Sequence, residues 1–298
     1  MFLEMRQERR KEWVDVGLQE VLHAVGSNSN LRKVLVFKGA RILNVYLGTH
    51  RQSLDIDSSL DVDFFESMPD RDDQAEWFRE QLEQALRVHY ESQDPVRYLL
   101  DSVVVRKNPK RLPHPRGWDG LVAEIHVSDE LLNGVRGLPA LELEIAAPEL
   151  LGPDAVCELQ IDGFSVQAYS LHRIAGEKLR AFLTSLSNYR RKMNSNERVA
   201  RAKDLHDLVR ILKAQPITEE IFWRKAADEF KLACESRYVD CVGVETFREH
   251  WESTRITYLE DPTLKAISWE DVEWALTEVI GFFDRIKIFP IYHTLPEV

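Results

Sequence analysis

The chain has 298 residues, of which 44% are hydrophobic and 30% are charged, and its formal net charge is −11. These proportions exclude a disordered chain, and the acidic balance excludes a protein that coats nucleic acid through bulk positive charge. No apolar run approaches the roughly 20 residues that span a bilayer, and the N-terminus offers no signal-peptide core, so we expect no membrane association. Three cysteines without CxxC spacing argue against a disulfide framework or a structural zinc site and favour a cytoplasmic location.

The first 170 residues predict a sheet with flanking helices. Residues 5–25 show helical spacing of apolar side chains, and the run VLVFKG predicts a buried strand that ends at Gly39, before a helix in ARILNVYLG. Residues 50–60 alternate between polar and apolar, which predicts a second strand, and residues 72–91 predict an amphipathic helix. Turn residues separate four further predicted strands: YLLDSVVVRK, GLVAEIHVS, ALELEIAA and FSVQAYS.

After Ser170 the pattern changes to helical periods almost throughout. The predicted helices are 171–187, 197–213, 218–235, 244–254 and 268–287. We therefore expect an α+β protein, with a mixed sheet and flanking helices in a domain over residues 1–170 and a helical domain over residues 171–298.

The stretch HRQSLDIDSSLDVDFF, residues 50–65, is rich in carboxylates. Side chains two apart share a strand face, so one face of this predicted strand would carry Arg51, Ser53, Asp55 and Asp57. Leu54 and Ile56 would then point into the core. Two aspartates with this spacing can donate oxygens to Mg²⁺, and the bound metal can hold a triphosphate.

Two other interpretations of this stretch remain open. It could be an acidic strand end at a solvated sheet edge. It also matches the ligand positions of a calcium-binding EF-hand loop, but Leu60 stands where that loop needs glycine for its sharp turn, which disfavours this alternative.

Four motifs together carry a family resemblance. A strand that ends in Lys38-Gly39-Ala40 and leads into a helix, followed by DxD on the next strand, resembles the nucleotidyltransferase superfamily that includes DNA polymerase β. The pair FKGARIL and HRQSLDID is similar to the lysine–glycine–glycine and R-x-S-x-D-x-D motifs of the AbiEii/AbiGii toxin family. Downstream, LHRIAGEKLRAF and RVARAKDLHDLVRIL resemble that family's lysine helix and its R-x-K-D-L-x-D-L helix.

The resemblance implies a Mg²⁺-dependent nucleotidyltransferase, the toxin of a bacterial toxin–antitoxin or abortive-infection system, which transfers a nucleotide from an NTP to an acceptor. The acceptor would be an RNA, with the 3′ end of tRNA as one candidate, or a protein hydroxyl, and a cognate antitoxin protein would be a further partner. The implied catalytic residues are Asp55, Asp57, Lys178 and Glu144, and the metal ligands among them are Asp55, Asp57 and Glu144. The implied nucleotide-binding residues are Lys38, Gly39, Ala40, Arg51, Ser53, Asp204 and Asp207.

One position departs from the family pattern. The family's second glycine or serine is Ala40 here, and alanine lacks a hydroxyl and resists positive φ. The alternative hypothesis is therefore a catalytically weak or inactive nucleotidyltransferase fold that serves as a nucleotide- or RNA-binding module.

The two helical motifs place charged residues beside apolar stripes. Lys178 lies on the same face as Leu171 and the rest of the stripe, so it must either extend to solvent or meet an anion, and a bound triphosphate is one such anion. Asp204 and Asp207 share one face of their helix. They are either a salt-bridging pair or support for the active site.

Three glutamates compete for the role of a third metal ligand: Glu124, Glu142 and Glu144. Alternation places Glu142 and Glu144 on one strand face, opposite the apolar residues, and the family resemblance favours Glu144. RNA phosphates could contact two basic stretches, 106–117 and 189–203. The histidines form no HxxxH or HExxH pair, so we do not expect a zinc hydrolase.

Overall fold

The computed structural model describes residues 7–49, 51–112, 114, 119–132, 135, 137–161, 163–194 and 200–295. These residues form two compact units. The first comprises the described residues up to His114, residues 119–148 and Cys157–Tyr169, and the second comprises Glu149–Val156 and the described residues from Ser170 onward. Residues 5, 6, 50 and 197–199, which belong to predicted helices and a predicted strand, lie outside the described residues.

The helices of the sheet region lie in its first half along the chain, and five of its strands follow one another in the second half. In chain order they are α1 (Gln7–Ser27), α2 (Ser29–Val34), β1 (Leu35–Lys38), α3 (Gly39–Leu47), β2 (Ile56–Leu60), α4 (Val62–Ser67), α5 (Arg71–Glu91), β3 (Tyr98–Lys107), β4 (Gly120–Asp129), β5 (Leu141–Ala146), β6 (Val156–Ile161) and β7 (Phe164–Tyr169). A short 3₁₀ turn, Glu130–Leu132, follows β4.

The described strands form one mixed sheet in the order β3-β4-β5-β2-β1-β7-β6. β1 pairs antiparallel with β2 and parallel with β7, whereas β2 pairs parallel with β5. β4 pairs antiparallel with both β3 and β5. β1 and β2, which precede and follow α3 along the chain, therefore lie in the interior of the sheet.

The helical spacing of apolar residues in α1 and their alternation in β5 explain how these two elements pack. The predicted apolar stripe of α1 is buried, as are Leu141, Leu143 and Ile145 on one face of β5. Gly17 of α1 lies against the Leu141 side chain, where a Cβ would come within 2.9 Å of its methyl carbons. The other face of β5 carries Glu142 and Glu144, as its alternation predicts.

The second unit is helical in its longer part. Its helices are α6 (Leu171–Thr184), α7 (Ser187–Lys192), α8 (Ala202–Ala214), α9 (Glu220–Glu235), α10 (Val244–Phe247), α11 (Trp251–Glu260) and α12 (Trp269–Arg285). A 3₁₀ turn, Pro262–Leu264, precedes α12. The single helix predicted over 244–254 is wrong, because His250 adopts a left-handed conformation with φ of 54° and separates α10 from α11.

Three elements of the first 170 residues were not predicted, namely α2, α4 and β6. The carboxylate of Asp61 explains α4, because it accepts hydrogen bonds from the backbone N–H groups of Asp63 and Phe64 and so caps the helix. Asp61 and Asp63 thus belong to a helix start rather than to a metal-binding loop.

Candidate active site

The junction between β1 and α3 forms the centre of the candidate site. Lys38 ends β1, and Gly39 begins α3 with φ of +77°, which residues other than glycine rarely adopt. A Cβ on Gly39 would overlap the Asp57 carboxylate. Glycine therefore allows this carboxylate to lie directly against the start of α3, where free backbone N–H groups favour negative charge.

Ala40 occupies the first turn of α3 and is buried. The positive φ of this junction is at Gly39, not at Ala40, so alanine causes no backbone strain here. Relative to the family pattern, Ala40 then differs from serine by the missing hydroxyl and from glycine by the added methyl group.

Three charged side chains line up across neighbouring strands. The β1–β2 register pairs Lys38 with Asp57, and the β2–β5 register pairs Asp57 with Glu144. Residues directly opposite one another on adjacent strands project from the same face, about 4.8 Å apart. We call Lys38, Asp57 and Glu144 the charged row. Lys38 is buried, and its Nζ lies 5.3 Å from the ring centroid of Tyr169.

The residues before β2 do not continue that strand. The prediction that Arg51, Ser53, Asp55 and Asp57 share one strand face is therefore wrong, since β2 begins at Ile56. Leu54, which was expected in the core, is 46% exposed. The physical reason is that side chains, rather than a neighbouring strand, take up the backbone hydrogen bonds of this segment.

Two residues of α3 provide those side chains. The Asn44 amide donates to the Arg51 carbonyl at 2.7 Å, and its oxygen accepts from the Arg51 N–H at 3.1 Å. The Arg41 guanidinium donates to the carbonyls of Ser53 at 3.0 Å and Asp55 at 3.3 Å. The Ser53 hydroxyl in turn donates to the Asp55 carboxylate at 2.9 Å, which orients that carboxylate.

Asp15 of α1 completes this support. Its carboxylate lies 2.8 Å from an Arg41 nitrogen and also accepts from the Ser53 N–H at 3.4 Å. Burial lowers the pKa of Arg41, and the attraction of Asp15 opposes this shift, so the ion pair keeps the buried guanidinium charged. Sequence analysis missed Asp15, Arg41 and Asn44. The available signal was weak: a charged and an amide side chain three residues apart in an otherwise apolar helix.

The register distinguishes the three glutamates. Glu144 is paired with Asp57 of β2. Glu142, two residues earlier on β5, is paired with Glu124 of β4. Glu124 forms an ion pair with Arg106, and Glu142 is exposed. Glu144 is therefore the one of the three that adjoins the DxD segment.

In the second unit, Lys178 of α6 meets two carboxylates of α8. Its Nζ lies 3.0 Å from Asp204 and 2.9 Å from Asp207, both of whose side chains are almost fully buried. Burial by itself raises the pKa of Asp204, but the attraction of Arg201 and Lys178 outweighs this and lowers it. Of the two alternatives that the sequence left for Lys178, extension to solvent or contact with an anion, the structure shows contact with two carboxylates of the chain itself.

The basic stretches are largely engaged in ion pairs. Lys192 contacts Asp240 at 2.8 Å, and Arg201 contacts Asp204 at 2.6 Å. Arg106 pairs with Glu124. Arg198 and residues 113 and 115–117 lie outside the described residues. These contacts reduce the positive charge that the two stretches present for RNA.

Residues 20–278 match the model of the nucleotidyl transferase AbiEii toxin family of type IV toxin–antitoxin systems. This match spans most of the chain and both units.

The chain belongs to the AbiEii family.

It is accordingly a nucleotidyltransferase of toxin–antitoxin type, with a nucleotide substrate and a cognate antitoxin implied by the family. Comparison with curated proteins finds no match at a significant level. Every helix among the described residues is too short or too polar to cross a bilayer.

Two solved structures are similar to this AbiEii protein along 95% of both chains. A nucleotidyltransferase from H. pylori shares 16% identity with a TM-score of 0.47. The nucleotidyltransferase toxin MenT4 from Mycobacterium tuberculosis also shares 16% identity, with a TM-score of 0.44.

Nucleotidyltransferases use divalent metals, and the donor set near Gly39 fits such an ion chemically. Asp55, Asp57 and Glu144 offer carboxylate oxygens, which are the ligands that hard divalent cations prefer. The missing Cβ of Gly39 lets the Asp57 carboxylate lie directly against the start of α3. Among the described residues, the oxygens of these three carboxylates do not form a group whose members all lie within 4.8 Å of one another.

Proposed function

We propose that this AbiEii protein transfers a nucleotide from an NTP to a hydroxyl group on RNA, with Mg²⁺ held by Asp55, Asp57 and Glu144. The observation that carries the proposal is the charged row beside the N-terminus of α3, where Gly39 leaves space for the Asp57 carboxylate. Carboxylates for a cation and backbone N–H groups for an anion meet here, which suits a metal-bound triphosphate.

Two groups around the charged row have different roles: one contacts the triphosphate, and the other orients the Asp55 carboxylate. The N–H groups of α3 face the triphosphate, and Arg51, half-buried before β2, is better exposed to it than the buried Lys38. The contacts of Arg41 and Asn44 keep the segment from Arg51 to Asp55 in one conformation, so its carboxylate is oriented before the substrate binds.

When bound, Mg²⁺ would offset the charge of the triphosphate and make the attacking hydroxyl more acidic. The hydroxyl oxygen bonds to the α-phosphorus, the bond from that phosphorus to the bridging oxygen breaks, and pyrophosphate leaves. The hydroxyl proton passes to a carboxylate of the site or to water. The product carries one added nucleotide on its hydroxyl.

RNA is the acceptor class that we favour, with the 3′ end of tRNA as the first candidate. A protein hydroxyl is the alternative acceptor. The four-motif resemblance to toxin nucleotidyltransferases supports RNA more than the surface charge does, because many cations of the basic stretches are paired with carboxylates.

Asp57→Asn tests the proposal directly, with Asp63→Asn as the matched control. Both substitutions remove one carboxylate from the same acidic segment, but Asp63 is exposed in the first turn of α4. Each purified protein is incubated with Mg²⁺, total RNA and one α-labelled NTP at a time. We expect Asp57→Asn to lower label transfer at least about 100-fold, as loss of an essential charged group does, and Asp63→Asn to leave it unchanged.

Full activity in the Asp57→Asn protein would contradict the proposal. Tight NTP binding by the wild type without transfer to RNA or protein would support the alternative of an inactive binding module. The labelled species and the preferred base identify the acceptor and the substrate.

A further inference from the structure

We propose a second metal site in the first unit, formed by Glu20, His23 and His89, that binds Zn²⁺ or a chemically similar first-row divalent ion. One ligand atom from each of the three side chains lies within 4.8 Å of the other two. Glu20 and His23 are three residues apart on one face of α1, and His89 lies in the last turn of α5. The proposal does not depend on the proposed function.

The donor set determines which ion fits. Two imidazole nitrogens and one carboxylate oxygen are a common ligand set for Zn²⁺ and related ions, whereas Mg²⁺ prefers oxygen donors alone. Three protein ligands leave one position of a tetrahedral site open for water or another ligand. This site is therefore chemically distinct from the three carboxylates near Gly39.

Neighbouring side chains already hold the donors close together. The Glu20 carboxylate lies 2.7 Å from His89 Nε2. Gln93 donates to the same Glu20 oxygen at 2.7 Å. The ring of His23 is edge-on to that of Phe164, with centroids 5.6 Å apart. Such outer contacts orient metal ligands and reduce the rearrangement that binding requires.

Burial is intermediate, as an exchangeable metal site requires. The side chains of His89 and Glu20 are 17% and 26% exposed, so an ion can enter from solvent while water competes only in part. An ordinary hydrogen bond between Glu20 and His89 explains that one contact. The imidazole of His23 on α1 lies at the same point, and the Gln19 amide is 3.4 Å from its Nε2.

A bound ion would join α1 to α5. The same α1 carries Asp15, which supports the segment before β2 through Arg41. The expected consequence is a more rigid α1, measurable as slower hydrogen exchange in both helices.

The test uses the full chain, stripped with EDTA and titrated with ZnCl₂ by calorimetry, and with CoCl₂ by visible absorption. We expect one saturable Zn²⁺ equivalent, a Co²⁺ spectrum with two nitrogen ligands, and a higher Tm with Zn²⁺. His23→Gln and His89→Gln should each weaken Zn²⁺ binding by at least about tenfold. His126→Gln, which changes a half-buried histidine of β4, serves as the control and should bind as the wild type does.

Absence of saturable Zn²⁺ and Co²⁺ binding in the wild type would overturn the proposal, and this result needs no variant to fold. Binding that is equally tight in the wild type, His23→Gln and His89→Gln would overturn it too, because the ion would then lie elsewhere. Millimolar Mg²⁺ that displaces Zn²⁺ would also contradict it.

Discussion

Replacing Lys178 by methionine should destabilise the helical unit. On the sequence alone, methionine suits an apolar helix face, and this substitution would leave stability unchanged or improved. The structure reverses that expectation, because Lys178 is the cation between Asp204 and Asp207, whose side chains are 2% and 0% exposed.

The magnitude follows from what remains after the change. Removing one partner of a buried ion pair typically costs about 3–5 kcal/mol. Asp204 keeps Arg201 and Asp207 keeps Arg210, which favours the lower end of that range. A loss of about 3 kcal/mol corresponds to a Tm decrease of roughly 6–12 °C for a domain of this size.

Thermal unfolding followed by circular dichroism measures the Tm, and hydrogen exchange of the folded protein locates the effect. We expect faster exchange in α6 and α8 and unchanged exchange in the sheet. Lys213→Met is the matched control on α8, because Lys213 is 53% exposed and pairs with Asp271 at the surface. Its cost should stay below about 1 kcal/mol.

A Tm at or above that of the wild type would refute this reasoning. The combined variant Lys178→Met with Asp207→Asn should recover part of the loss, because it removes one of the two carboxylates that the lysine neutralised. If Lys178→Met instead raises the NTP requirement at unchanged Tm, the lysine acts mainly on the triphosphate.

Three further predictions concern single positions. Gly39→Ala should lower transfer activity at least about tenfold, because the new Cβ displaces the adjacent aspartate and the positive φ costs about 1–2 kcal/mol; Gly48→Ala has a similar φ of +57° but open space around it, and should keep its activity. Glu144→Gln should raise the Mg²⁺ concentration needed for half-maximal transfer at least about tenfold, whereas Glu124→Gln should not, and the opposite outcome would move the third ligand to β4. Burial lowers the pKa of His172 from 6.5 to about 4, so its contribution to stability is present above pH 6.5 and is lost as the pH falls toward 4. His172→Gln should therefore show a flatter dependence of Tm on pH in that window, and an unchanged slope would contradict a half-buried histidine that is neutral in the folded state.

Local patterns were enough for most of the elements. The apolar stripe of α1 and the alternation of β4 and β5 appear directly in the sequence, because helical and strand periods determine which side chains face a core. The strand β6 also carried a usable signal, since VCELQI alternates and precedes the turn pair Asp162-Gly163. Its omission reflects how weak a six-residue alternation is.

The sequence by itself determined which residue types occur in the motifs around the β1–α3 junction at Gly39. It identified the family motifs, the choice for Lys178 between solvent and an anion, and the three glutamates of β4 and β5. These inferences follow from residue chemistry and from spacing within one element. They do not require knowledge of which elements touch.

Only the tertiary structure decided which of these residues meet. The alternation of residues 50–60 predicted a strand, but Arg41 and Asn44 of α3 bind the backbone of its first half, so β2 begins at Ile56. Strand register made Glu144 the neighbour of Asp57. A pattern within one segment contains no information on the partner that another segment supplies.

The cluster of Glu20, His23 and His89 illustrates the same limit. No short histidine motif exists in the sequence, because the two histidines lie on different helices, far apart along the chain. Packing of α1 against α5 brings their rings to 6.0 Å between centroids. The spacing of residues along the sequence indicates only which side chains are neighbours within one helix or strand. This cluster forms where the surfaces of two helices meet.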